Sequence, residues 1–430
     1  MEVSKEQTEL ILRQKKWHKY GKLLIFACVF MYMAEIAAKG VFGAEIATII
    51  VELNTDKVNA SLANTYYFVT YGLVQILLCF FVSKLNMRKY LSFTLPVAAV
   101  LTILMGLATN ITHMWILFAI NGVFQAGLWS GINLILTRYL PRRLLSIANK
   151  IVNVSFAVGS IAAYGVSAVC VGMGHWRLAF YILGSIFLTA VIIFAVVVSR
   201  ANNYTNIPDD ANFNEGKKKV RVDEPFIILG TKKRVAYFYV ISVLLSFIIC
   251  ALYYCLANWL TSFLIDVYGV PQDISIYISI ISPITVLFGP ILTLNMCEKN
   301  PNVILQTIKC TLIILPAPLL LVFFYDVNIV FALVLFKIFI VLAKGINSIS
   351  LSVVTFNMRK QINAGTYSAM SNAAASIAAG ITPTIIGGII DGSGWKAAFI
   401  AVFALVALLL VALIALNIII KKSKTKVKEN

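Results

Sequence analysis

Lys39 and Lys344 each lie in the middle of a long apolar run, where a charged side chain costs roughly 2.5–3.5 kcal/mol on insertion scales. A charge kept at such a depth faces water, a partner or a ligand. Each lysine therefore reads either as an anion ligand or as one member of an ion pair that holds helices together. Glu35 precedes Lys39 by four residues, so the two share a helix face. That spacing fits an internal ion pair that lowers the insertion cost. It also fits a carboxylate that exchanges protons or competes with an anion for Lys39. Lys337, seven residues before Lys344 on the same face, reads as an entrance or snorkelling lysine. Glu45 lies nearer the outer end of its run, off the Glu35 face, and is expected to line an outer vestibule.

Polar and aromatic side chains collect in the same kind of segment. Asn121, Gln125 and Trp129 follow one another at i, i+4 and i+8, a single stripe if the helix is continuous. Tyr253, Tyr254, Asn258 and Trp259 form a second group. Such amides serve a sugar-like or carboxylate ligand, or they hydrogen-bond between helices. Lys84, Arg88, Arg138, Arg142 and Arg143 fall between apolar runs, where they set topology or latch a conformational state. No Walker, G-x-S-x-G or H-E-x-x-H sequence occurs, and His18, His113 and His175 all sit at run ends. The seven cysteines show no C-x-x-C and read as small hydrophobes. No enzyme, cofactor or metal is expected, and without an ATP-binding domain any transport must run on a gradient.

The elements that hold these residues follow from composition. Of 430 residues, 60% are hydrophobic and 13% charged, and mean hydropathy is +0.88. A soluble chain carries about a quarter charged residues, so this one is matched to a bilayer. About 20 apolar residues cross the hydrocarbon core as a helix. Twelve such runs are expected, near 21–52, 62–83, 90–110, 114–139, 148–172, 177–199, 236–265, 274–296, 303–325, 328–357, 367–390 and 395–420. The predicted organisation is a cytoplasmic lead-in at 1–20, not a cleaved signal, then a six-helix half at 21–199. A polar cytoplasmic linker follows at 200–235, then a second half at 236–420 and a basic tail at 421–430.

The net charge of +18 does not point to nucleic acid, because the basic residues sit in short segments between the runs. With both termini and alternate loops inside, 30 of the 36 Lys and Arg are cytoplasmic. Only Lys57, Arg177 and Lys396 fall outside, and Lys39, Lys337 and Lys344 lie within runs. The halves also echo each other: GHWRLAF at 174–180 matches GWKAAF at 394–399, and Gly127 pairs with Gly345 at nearly the same offset. Two parallel six-helix repeats joined by a cytoplasmic linker is the layout of major facilitator transporters.

The motifs resemble the organophosphate–phosphate antiporter family, which includes glycerol-3-phosphate and hexose-phosphate transporters. SKLNMRKYL (83–91) is similar to its D-R-x-N-P-R-x-x-L loop, FQAGLWSG (124–131) to its FQGxGWP segment, and NVSFAVGS (153–160) to its N-x-x-H-N-V-G-G stretch. AGTYSAMS near 364–371 with DGSGWKAAF resembles its ending. The resemblance implies an all-α major facilitator fold in the cytoplasmic membrane, with Tyr71, Gln75 and Asn153 at cavity positions. It also brings departures: Ala38 replaces one of a basic pair, Gln75 a lysine, Phe156 a histidine and Tyr253 an arginine, while Lys344 stands in place of a tyrosine. Transport of a small organic anion, a phosphate ester or a carboxylate, is the expected function, by anion exchange or proton coupling. Rival readings are a transporter-like sensor and efflux of lipophilic compounds. The expected partners are the lipid bilayer and that solute, with the chain monomeric and no nucleic acid bound.

Overall fold

Long apolar stretches separated by capped turns produce an all-helical protein. The computed structural model describes residues 5–81, 85–140, 142–201, 232–299, 302–349 and 364–428, with no strand among them. The first set of helices is α1 (Lys5–Glu52), α2 (Lys57–Phe81), α3 (Met87–Met105), α4 (Ile111–Gln125), α5 (Leu128–Tyr139), α6 (Arg142–Gly172) and α7 (Arg177–Ser199). The second is α8 (Lys232–Ala257), α9 (Leu260–Tyr268), α10 (Gln272–Ser279), α11 (Ile281–Val286), α12 (Phe288–Lys299), α13 (Val303–Ile314), α14 (Pro316–Phe324), α15 (Ile329–Ser348) and α16 (Ala364–Lys428).

Helix starts are set by Asp and Asn side chains that accept otherwise unpaired backbone N–H groups. Asp56 accepts from the Asn59 N–H at 2.6 Å, Asn110 from His113 at 2.9 Å, and Asn328 from Val330 at 2.8 Å and Phe331 at 3.1 Å. At about 1.5 Å per residue, the 65 residues of α16 would span about 98 Å, some three times the hydrocarbon core. The helix turns back instead at Gly394 (φ 78°, ψ 177°). Among the described residues ten helical segments are long and apolar enough to cross a membrane, one of them running through Gly394.

The outer surface is apolar. Leu77, Phe80, Phe93, Val330 and Val411 are exposed, as expected where lipid rather than water is the neighbour. Within the first set α1 packs on α6 and α7, α2 on α4, and α3 on α7; within the second α8 packs on α16 and α12 on α15. The sets meet where α2 lies along α16 and where α6 meets α10 and α11. At the first seam the Thr65 hydroxyl donates to the Gly380 carbonyl at 2.7 Å and lies 2.7 Å from the Thr384 hydroxyl.

The helix bounds differ from the expected runs at several places. The lead-in at 1–20 is helical from Lys5 and continuous with the first span. It is anchored: Trp17 Nε1–H donates to the Tyr139 carbonyl at 2.9 Å and the Tyr20 hydroxyl to the Val197 carbonyl at 3.0 Å. The tail at 421–430 continues α16 as far as Lys428. The linker at 200–235 falls almost wholly outside the described residues, and α8 begins within it, at Lys232. The run at 236–265 breaks after Ala257, and the run at 114–139 breaks at Gly127, which is left-handed (φ 84°). A Cβ at Gly127 would come within 2.7 Å of the Leu78 side chain, so both conformation and space require glycine. Gly345, its expected counterpart, is instead helical and packs its backbone against Gly289 of α12. The tryptophan landmarks fare better: Trp176 and Trp395 are both buried at the start of a helix, each shortly after a glycine with positive φ.

Candidate functional site

Lys39 and Lys344 stand on opposite sets of helices. On α1, Lys39 Nζ lies 3.2 Å from Glu35 Oε1, one turn back as the i,i+4 spacing requires. Glu35 is buried, whereas the Lys39 side chain keeps 28% of its surface free. The ammonium also sits 5.6 Å from the Tyr67 ring centroid on α2. On α15, Lys344 has no ion pair among the described residues. Its ammonium stands 4.9 Å from the Tyr253 ring on α8 and 5.3 Å from the Phe156 ring on α6, so it touches both sets. Aromatic faces attract a cation without neutralising it. The two ammonium groups are near enough to repel each other.

Aromatic and amide groups surround this pair. The Tyr67 hydroxyl donates to Gln125 Oε1 at 2.5 Å, and Tyr67 stacks on Tyr71 at 6.0 Å. Tyr32 of α1 meets Trp129 of α5 at 5.4 Å. Tyr253 and Tyr254 are 4.8 Å apart, and Tyr254 reaches Phe68 of α2 at 5.8 Å. Gln75 is buried on α2, and Asn258 lies in the break between α8 and α9. The side chain of Asn153 lies outside the described residues.

The structure brings together Glu35, Lys39, Tyr71, Gln125, Trp129, Tyr253, Tyr254 and Lys344, and it redistributes others. The Asn121–Gln125–Trp129 stripe is interrupted, because the left-handed Gly127 restarts the helix at Leu128. Asn121 turns within its own set and donates to the Thr102 hydroxyl at 3.3 Å. Trp259 is wholly buried and donates to the Pro383 carbonyl at 3.1 Å, which makes it a packing residue. Lys337 donates to the Ser282 hydroxyl of α11, so the entrance lysine is tied to a neighbour. Glu45 lines no vestibule: it is wholly buried. Arg88 and Arg138 converge on Tyr139, 5.1 and 5.8 Å from its ring, on a cleft of about 190 Å³. Lys84 and the side chains of Arg142 and Arg143 lie outside the described residues.

Sequence reasoning missed a cluster at the mouth remote from the chain ends. Lys57 Nζ at the start of α2 lies 3.2 Å from Asp266 of α9 and 3.3 Å from Asp391 of α16. The Lys57 N–H donates to Asp391 at 2.9 Å, and Trp395 Nε1–H to Asp266 at 3.1 Å. Lys57 of the first set is thus held by two carboxylates of the second, one of them also bonded to Trp395. The only signal in the sequence is that Lys57 is one of the few basic residues expected outside the basic loops.

Comparison with known proteins agrees with this architecture. The model of the Major Facilitator Superfamily matches residues 25–380. "Probable hexose phosphate transport protein" of Chlamydia trachomatis serovar D is 24% identical over 173 residues, 40% of this chain and 38% of that protein. The protein of the same description from Chlamydia muridarum is 22% identical over the same shares. The chain thus matches well under half the length of these relatives. Among solved structures, a bacterial homologue of the human lysosomal transporter Spinster, inward-facing and occupied, superposes with a TM-score of 0.70. It is 16% identical, and the match covers 92% of this chain and 96% of that one. The nucleoside transporter NupG gives 0.67 at 16% identity, over 92% and 98%. At such identities the likeness concerns the fold, while the family match extends over most of the sequence. This chain belongs to the Major Facilitator Superfamily, whose members are transporters and not enzymes.

Proposed function

We propose that the chain carries a small organic anion, a phosphate ester or a carboxylate, across the cytoplasmic membrane by alternating access. In this reading twelve spans form two six-helix halves with both termini in the cytoplasm, and the anion binds between Lys39 and Lys344. The observation that carries it is Lys344, a cation flanked by aromatic rings from both halves and with no ion pair among the described residues. Glu35 offsets the charge of Lys39, so the three groups together leave one positive charge for a ligand. The partial similarity to hexose phosphate transport proteins supports a phosphate ester as the first anion to test. Tyr71, Gln75, Gln125, Trp129, Tyr253, Tyr254 and Asn258 would then supply hydroxyl, amide and ring contacts to its uncharged part.

Anion exchange fits the site best, because two lysines on opposite sets of helices favour having an anion between them in either orientation of the halves. The test is uptake of radiolabelled glucose 6-phosphate into proteoliposomes of the purified chain, with and without internal phosphate. Saturable uptake that internal phosphate accelerates and simple carboxylates or phosphate esters inhibit is the expected result. Uptake or stabilisation by neutral glycosides and nucleosides alone would overturn the anion reading.

A further inference from the structure

Ten residues beyond Glu35 on the same helix, Glu45 has no exposed surface, and neither carboxylate oxygen has a hydrogen-bond partner among the described residues. It lies where α1 and α6 of the first half meet α10 of the second. Ala44, Ala168 and Ile276 pack together there, with Tyr164 and Val171 against them. The Ser167 hydroxyl of α6 faces Glu45 without hydrogen-bonding geometry and is itself buried and unpartnered. One turn further along α1, the Thr48 hydroxyl donates to Gln272 Oε1 of α10 at 3.3 Å, so this seam joins the two halves. Near the seam α6 carries Tyr164 and Cys170, and α10 carries Asp273 and Tyr277. The cations of α6 (Arg142, Arg143 and Lys150) come 17 or more residues before Ser167, Lys39 of α1 is paired with Glu35, and among the described residues no cation pairs with Glu45.

An ionised carboxylate in such surroundings lacks both water and a counter-charge, and the form that fits is the neutral acid. We infer that Glu45 is a proton-binding site that must be loaded before the mouth between the α1–α2 turn and the α9–α10 turn can close. The proton is taken from water in the open mouth and bonds to a carboxylate oxygen. Closing then brings α10 over α1 and α6 and seals the neutral acid beside Ser167. When the halves part there, water returns and the proton leaves by the way it came. Acidity on that face of the membrane therefore drives the closing step. The consequence for transport rests on the function proposed above; the binding of the proton and the closure do not.

The test uses the full chain in lipid, without any solute. Infrared spectra should show a protonated-carboxyl band that Glu45→Gln removes and Glu35→Gln leaves. Spin labels on Leu53→Cys and Val270→Cys, one on each side of the mouth, report its width. In the parent protein the distance should lengthen as pH is raised, because the ionised carboxylate seeks water. In Glu45→Gln, whose side chain copies the neutral acid, the short distance should persist at every pH. The same pH response in Glu45→Gln would assign it to another group and overturn the inference, as would absence of the infrared band. Failure of glucose 6-phosphate to enter proteoliposomes would count against the transport reading and leave both readouts standing.

Discussion

The two lysines of the central site reach similar positions from opposite halves, yet their charges are held differently. Lys39 leans on a carboxylate one turn away, and much of its charge goes to keeping Glu35 solvated. Lys344 has ring faces in place of a carboxylate, and its charge stays available. The first half therefore contributes a stabilised ion pair and the second a poised cation. In the proposed site both lysines meet the anion, but only Lys39 also holds a carboxylate of its own helix.

The largest test of this division is on stability. Lys39→Ala should leave Glu35 buried and unpaired, at a cost of about 3–5 kcal/mol. The double variant Lys39→Ala with Glu35→Gln should recover most of that loss in melting temperature. If uptake is restored together with stability, Lys39 is no anion ligand. Next in size, Lys344→Ala should leave melting nearly unchanged and weaken glucose 6-phosphate binding by about ten- to a hundredfold. That range corresponds to losing a charge-assisted contact of about 1.5–3 kcal/mol. A melting temperature that falls as far as in Lys39→Ala would erase the contrast.

Away from the central site, Lys57→Gln removes both ion pairs at the mouth remote from the chain ends, each partly exposed and worth about 1 kcal/mol or less. Spin-label distances across the mouth should shift toward the separated form by about fivefold in population. High salt should shrink the difference between the variant and the parent. The smallest effect is expected from Tyr253→Phe, which keeps the ring face under Lys344. Affinity should change by less than about 0.5 kcal/mol, whereas Tyr253→Ala should lose about 0.5–2 kcal/mol. A large effect of the phenylalanine variant would mean that the hydroxyl, not the ring, serves the anion.

What the sequence made legible was local. Hydropathy located the apolar runs, and the i,i+4 spacing of Glu35 and Lys39 anticipated a contact now found at 3.2 Å. The Gly–Trp landmarks near 176 and 395 marked corresponding helix starts because a positive-φ glycine followed by a bulky apolar ring is a short-range signal. Two kinds of feature escaped. The Asn121–Trp129 stripe presupposed an unbroken helix, and a lone glycine such as Gly127 gives no notice of whether it will be helical or left-handed. Lys57 and Asp391 are separated by 334 residues, so their pairing depends on how the halves dock, which no periodicity records. Glu45 fell in the same class: its isolation is a property of three packed helices, not of its neighbours in sequence.

The anchoring of α1 near its start has a mechanical consequence. Because Trp17 is fastened to the Tyr139 carbonyl and Tyr20 to the Val197 carbonyl, the helix that bears Glu35, Lys39 and Glu45 is a stiff lever about 72 Å long. Near its start it is bonded to the backbone of Tyr139, the residue on whose ring Arg88 and Arg138 converge. A tilt imposed at the far mouth by closure over Glu45 is transmitted along that rod to the arginine pair at the opposite end. The same element that senses one compartment thereby works the fittings of the other, with no intervening joint in its backbone.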